Sequence, residues 1–264
     1  MITASTLGWA IGMLLGLTGA GGGILAVPAL MFGLHMPLAD AAPVALIAVG
    51  AAAAVGAAQG LRQGLVRYKA ALLMAVAGGL TAPAGLLLAR QLPAAWLSLG
   101  FAAIMLVVAA RMAGPSRAAA GPDAAAPAKP CRLSPETGKF IWTGRTAATL
   151  GAIGAASGLC TGMLGVGGGF IIVPAFSRFT DARMHCIVST SLMIIALVSA
   201  ATVASAAAHG LALTAPQWAF VGAAVIGMAI SRTFAHRVPQ AGLRRAFALV
   251  CVAVAAMLAW RALR

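Results

Sequence analysis

The sequence predicts an all-α polytopic membrane protein made of two inverted repeats, each an interrupted or re-entrant glycine-rich helical hairpin followed by three transmembrane helices. Three observations lead there. Of 264 residues, 62% are apolar and 8% charged, with a mean hydropathy of +1.00. An ordinary soluble domain carries about a quarter of its residues as Asp, Glu, Lys or Arg, so a soluble globular protein is excluded. A glycine-rich motif occurs twice at a constant offset, and the basic residues sort to one side of the membrane when the chain is threaded accordingly. The net charge of +14, from 18 basic and 4 acidic residues, lacks the clustered basic patches with interleaved aromatics that nucleic acid requires. It reads as topology.

Taken in order, the amino terminus Met1-Ile2-Thr3 has no basic residue before the apolar run, so the first segment is expected to be retained rather than cleaved as a signal peptide. An interrupted apolar segment covers 3–34, and helices follow near 41–60, 70–89 and 94–112. Residues 113–139 hold five prolines with scattered charge and no apolar period, which reads as an extramembrane linker. A second interrupted segment covers 140–177, with helices near 186–207, 214–235 and 240–260. The expected organisation is a first membrane repeat at 1–112, a cytoplasmic linker at 113–139 and a second membrane repeat at 140–264.

The repeat is read from GAGGGILAVPAL at 19–30 and GVGGGFIIVPAF at 165–176, which share seven of twelve positions at an offset of 146. The offset persists without a gap, placing Pro93 on Pro239, Leu97 on Leu243 and Phe101 on Phe247. The repeat therefore covers 8–112 and 154–258.

Basic residues accumulate in cytoplasmic loops, so their count decides how the glycine segments lie. Were each a single crossing, the two faces would receive 11 and 7 of the 18 basic residues. Were each to enter and leave on one side, the halves would be inverted and the division becomes 15 against 3, the three being Arg90, Arg261 and Arg264. The inverted arrangement is expected, with both termini external. The arms 3–18 and 24–34 are also short for a crossing that takes about 20 residues.

Irregular backbone at membrane depth survives only where it is buried in protein or lines a cavity, and paired breaks in two halves point to a transport site. Gly19, Gly21, Gly22 and Gly23, with Gly165, Gly167, Gly168 and Gly169, permit positive φ and close approach of a ligand. Each cluster runs into a helical arm whose free amides and dipole suit an anion. Close helix packing is the competing account of the same glycines. Ser189, Thr190 and Ser191 form the densest hydroxyl cluster, able to bind an anion oxygen or to cap the helix. Their counterparts Pro43, Val44 and Ala45 carry no hydroxyl. Pro28 and Pro174, five residues after the last glycine of each cluster, are expected to shape the hairpins. Arg145 and Arg232 lie nearest apolar interiors and are expected to snorkel. His35, His185, His209 and His236 fall near helix ends, as do Trp96, Trp142, Trp218 and Trp260, which suit an aromatic belt. The four cysteines show no metal or redox spacing, and no cofactor or metal is expected.

These paired glycine motifs running into Val-Pro, in a duplicated membrane protein of this length, resemble the sulfite exporter TauE/SafE family. Gly19 to Pro28 and Gly165 to Pro174 carry the resemblance, and Ser189-Thr190-Ser191 resembles a small hydroxyl element that follows the motif in that family. The resemblance covers nearly the whole chain except the linker. It implies export of sulfite, thiosulfate, sulfoacetate or other sulfonates across the bacterial inner membrane, with the substrate bound by glycine-loop amides and hydroxyls. Other readings are transport of a different small carboxylate or inorganic anion, or a non-transporting assembly subunit. An intramembrane enzyme needs a nucleophile with its base, or a metal set, and the apolar segments offer neither. The expected partners are a small anion and the lipid bilayer, with a homodimer left open and nucleic acid excluded.

Overall fold

A computed structural model describes residues 2–18, 22–113, 142–164, 168–180, 184–207, 213–234 and 240–262. Among these residues the chain forms ten α-helices. The first half contributes α1 (Ile2–Thr18), α2 (Gly22–Gly33), α3 (Leu38–Arg62), α4 (Tyr68–Gln91) and α5 (Ala94–Ala113). The second contributes α6 (Gly144–Leu164), α7 (Gly169–Phe179), α8 (Met184–Ala207), α9 (Ala215–Phe234) and α10 (Gln240–Ala262). The expected linker beyond Ala113 lies outside the described residues.

This is an all-α polytopic membrane protein. Stretches of α3, α4 and α8 are long and apolar enough to cross a bilayer, over Asp40–Arg62, Tyr68–Ala89 and His185–Ala204. The glycine segments are each broken into two arms. The second arms, α2 with 12 residues and α7 with 11, reach only about 16 to 18 Å at 1.5 Å per residue. Large apolar side chains such as Leu72, Leu80, Leu87, Ile226 and Leu249 are exposed, as suits helix faces turned toward lipid. Trp96, Trp142, Trp218 and Trp260 are exposed at helix ends, where amphipathic rings meet the headgroups.

Local chemistry sets the helix ends. α3 stops where Gly64 takes φ +68, and the Leu65 amide donates to the Gly60 carbonyl while Gly64 donates to Leu61. That pair of bonds is a Schellman closure, which glycine permits without a Cβ penalty. α9 opens with the Gln217 side chain accepting from the Thr214 amide at 2.7 Å, so an otherwise orphaned donor is paired. Pro28 inside α2 has no amide to donate and so frees a carbonyl one turn earlier.

Glycine spacing dictates which helices meet. Gly8, Gly12 and Gly16 recur every four residues on α1, and their counterparts Gly154, Gly158 and Gly162 do the same on α6. A Cβ on Gly8 or Gly12 would run into the backbone of Phe220 or Ala224, and one on Gly16 into Met228 and Ser231, so α1 lies along α9 in the same direction. Gly154, Gly158 and Gly162 likewise meet the backbones of Met74, Gly78 and Ala82, laying α6 along α4. Each hairpin is thus held by a helix of the other half. Bare glycine faces let membrane helices approach closely enough for dispersion to hold them. Hydroxyls pin both contacts: Ser231 donates to the Met13 carbonyl and Thr81 to the Ala155 carbonyl, each at 2.8 Å.

α3 and α8, which occupy equivalent places in the repeat, cross one another in opposite directions. Gly50 abuts Ser199, Gly56 abuts Leu192 and Gly60 abuts Ser189. The return arm α2 runs back along α1, with Gly22 against Leu15 and Gly33 against Leu7. Its residues Ile24 to Pro28 are fully enclosed in the core.

Candidate functional site

Of the glycines expected at the turns, Gly22, Gly23, Gly168 and Gly169 are described, whereas Gly19, Gly21, Gly165 and Gly167 lie outside the described residues. Gly168 has φ +62 and precedes the first residue of α7. Its carbonyl accepts from Ser157 at 3.2 Å, and a Cβ there would collide with the hydroxyls of Ser157 and Thr161. Positive φ and a closed approach therefore both require glycine at this position. The first turn is built differently. The Gly22 amide donates to Thr18 Oγ1 at 3.2 Å, and the Thr18 hydroxyl donates to the Leu14 carbonyl at 2.6 Å. Gly22 is a glycine because the backbone of Leu14 and Leu15 leaves no room for a side chain, and its amide already has a partner.

Helix directions place these turns at opposite ends of the bundle. α1 finishes beside Ser231 at the end of α9, and the neighbouring Arg232 donates to Ser189 Oγ at 3.4 Å. Ser189 stands against Gly60 at the end of α3. α6, by contrast, starts at the end where α4 starts and finishes, near Gly162, against Ala82 and Leu86. The hydroxyl cluster therefore shares an end with the first glycine turn and stands a bundle length from the second.

The three hydroxyls of the cluster are all buried, but their bonds differ. Thr190 Oγ1 accepts from the backbone amide of Arg67 at 3.1 Å. Ser189 accepts from Arg232, while Ser191 donates into its own helix, to the Val188 carbonyl at 2.8 Å. Ser191 is thus a helix-internal bond, and Ser189 and Thr190 are the members that tie helices together. Ser199, at the α3–α8 crossing, is buried with its hydroxyl unpaired.

Arg145 is exposed at the start of α6, whereas Arg232 is half-buried with its head on Ser189. Arg67, which sequence reasoning passed over, sits at the start of α4 with its Nε buried and unpaired. Nothing in its short surroundings marks it, because its neighbour Thr190 is 123 residues away. His35 and His185 are exposed; His209 and His236 lie outside the described residues. Cys160, Cys186 and Cys251 are free thiols.

Comparison with known proteins gives a consistent answer. A family model described as Sulfite exporter TauE/SafE matches residues 4–258. A probable membrane transporter protein of Xylella fastidiosa strain 9a5c is 28% identical over 261 residues, covering 96% of this chain and 93% of the relative. Its counterpart in strain Temecula1 / ATCC 700964 is 27% identical with the same coverage. No solved structure matches.

Proposed function

Because the chain belongs to the sulfite exporter TauE/SafE family and is a multi-pass membrane transporter, we propose that it exports a small sulfur-containing anion, sulfite or an organosulfonate, as a secondary carrier. The observation that carries this reading is the exchange of hairpins. α1 is seated on α9 and α6 on α4, with the two turns at opposite ends and the equivalent helices α3 and α8 antiparallel. Such a pattern is what two inverted repeats produce, and rocking of one half on the other then opens alternate faces. The anion is met at one end by Ser189 and Thr190, beside the first glycine turn, and at the other by the left-handed turn at Gly168. Helix-start amides and hydroxyls suit such a ligand. An interior-negative potential favours its exit by about 2.3 kcal/mol per unit charge per 100 mV.

Purified protein in liposomes loaded with labelled sulfite is expected to release it saturably, faster when the interior is made negative. Folded protein that passes neither sulfite nor any sulfonate would overturn the reading and favour another anion or an assembly role.

The same reading assigns an external amino terminus, a cytoplasmic linker and an external carboxyl terminus, in keeping with the 15 to 3 division of basic residues. In a cysteine-free background, cysteines placed at Thr3 and Leu263 are expected to react with an impermeant maleimide from outside, and one at Ser116 only after lysis. Protection of both termini would reverse the assignment.

A further inference from the structure

We propose that the linker end of the bundle holds an oxyanion site made by Arg67, Arg232, Ser189 and Thr190, which the repeat does not reproduce at the four equivalent positions of the other half. It rests on the carrier reading and names where that carrier first meets its anion. Four observations place it.

The first concerns hydroxyl protons. A hydroxyl has one proton to donate and lone pairs to accept. Thr190 accepts from the Arg67 amide and Ser189 from the Arg232 guanidinium, so both protons remain uncommitted although both residues are 1% exposed. The hydroxyls of Ser157, Thr161 and Ser191 instead donate to backbone carbonyls. The second concerns Arg67, whose Nε is buried and unpaired. A buried guanidinium donor without an acceptor is expensive unless something supplies one.

The third is charge. Among the described residues neither arginine has a carboxylate partner, and the one described acid, Asp40, stands at the start of α3, the other end of that helix. Arg62, Lys69 and Arg145 surround the same end, so the local field favours an anion. The fourth is the repeat itself. At the offset of 146, the positions of Arg67, Arg232, Ser189 and Thr190 are taken in the other half by Leu213, Leu86, Pro43 and Val44. All four of those are apolar, and Val44 is part of the core. At these four positions the repeat therefore presents uncommitted donors in one half and apolar side chains in the other.

The ligand this donor set fits is a compact oxyanion with several equivalent oxygens, the shared chemistry of sulfite and a sulfonate head. Planar guanidinium forks and hydroxyls bond such oxygens with charge assistance. A lipid phosphate presents the same oxygens, so the test separates the two sources. Thermal unfolding is measured in maltoside micelles, which carry no phosphate, with sulfite or short-chain phosphatidylglycerol as the probe, and sulfite flux is measured in liposomes.

Sulfite is expected to stabilise the native protein. Arg67→Leu and Arg232→Leu should each raise the half-effective sulfite concentration about tenfold or more, Ser189→Ala about threefold, and the mirror change Leu86→Ala not at all. Leucine is what the other half carries at these positions. Should those variants nevertheless unfold, Arg67→Lys and Arg232→Lys keep the charge but lose the fork, and are expected to weaken sulfite by an intermediate amount. Folded arginine variants with native sulfite dependence, or stabilisation by the lipid probe and not by sulfite, would overturn the site. Native flux in the leucine variants would do the same while leaving the carrier reading intact. Arginine-dependent stabilisation without any flux in the native protein would overturn the carrier reading and leave the site.

Discussion

Valine at Gly158 is expected to unseat α6 from α4 and cost about 3 kcal/mol of stability, the upper range for forcing atoms into a packed interface. The Cα of Gly158 faces the backbone of Gly78, not a side chain that can swing away. Three added carbons therefore have to push two helices apart along their whole contact. Between membrane helices close packing is the main attraction, so the separation removes what holds them. Gly12→Val meets the Ala224 backbone in the equivalent place on α1 and is expected to cost as much. Gly151→Val, on α6 like Gly158 but with nothing within 4 Å, should change stability by no more than about 0.5 kcal/mol. Unfolding of purified protein by graded sodium dodecyl sulfate measures all three. Equal stability of the Gly158 and Gly151 variants would mean that α6 does not lie on α4 in this register.

At Gly168 even alanine is expected to be harmful. Its left-handed φ costs a residue with a Cβ about 1 to 2 kcal/mol, and the methyl would displace the hydroxyls of Ser157 and Thr161. Loss of the Ser157 bond then leaves that buried hydroxyl without its acceptor, a further penalty of about 1 kcal/mol, while the Gly168 carbonyl keeps the Ile171 and Ile172 amides. The double variant Gly168→Ala with Ser157→Ala should recover only the share of the steric cost due to the Ser157 hydroxyl, since Thr161 and the Ser157 carbonyl stay close, and none of the backbone part. At Gly22 the obstacle is the Leu14 and Leu15 backbone, so no side-chain truncation is expected to rescue Gly22→Val. Rescue of that variant, or native stability for Gly168→Ala, would contradict the two turn geometries.

Helix positions were legible in the sequence because apolar runs and turn residues are local signals. The expected 94–112 and 186–207 emerge as Ala94–Ala113 and Met184–Ala207. The breaks at the glycine clusters were legible too, since the repeat showed them twice. Partner choice was not. The four-residue glycine register of α1 and α6 marks a groove, but spacing alone does not say which helix fills it. Nor was it legible that Gly168 and Ser189 stand at opposite ends, because that depends on the direction in which α6 lies along α4. Ser189, Thr190 and Ser191 looked alike as a tripeptide. Their difference comes from neighbours distant in sequence, Arg232 and Arg67, and from the helix geometry that turns Ser191 back on Val188.

The exchange of hairpins also sets an order of assembly during synthesis. Gly78 is already made when Gly158 leaves the ribosome, so α6 finds α4 waiting. Gly8 has no such template: its seat at Phe220 follows 212 residues later (220 − 8), roughly 10 to 40 seconds at cellular elongation rates. Through that interval the bare face of α1 must lie against lipid or the insertion machinery. The hairpin translated first is therefore the one docked last, and the end of the bundle that carries Ser189 and Arg232 takes shape only when α9 enters the membrane.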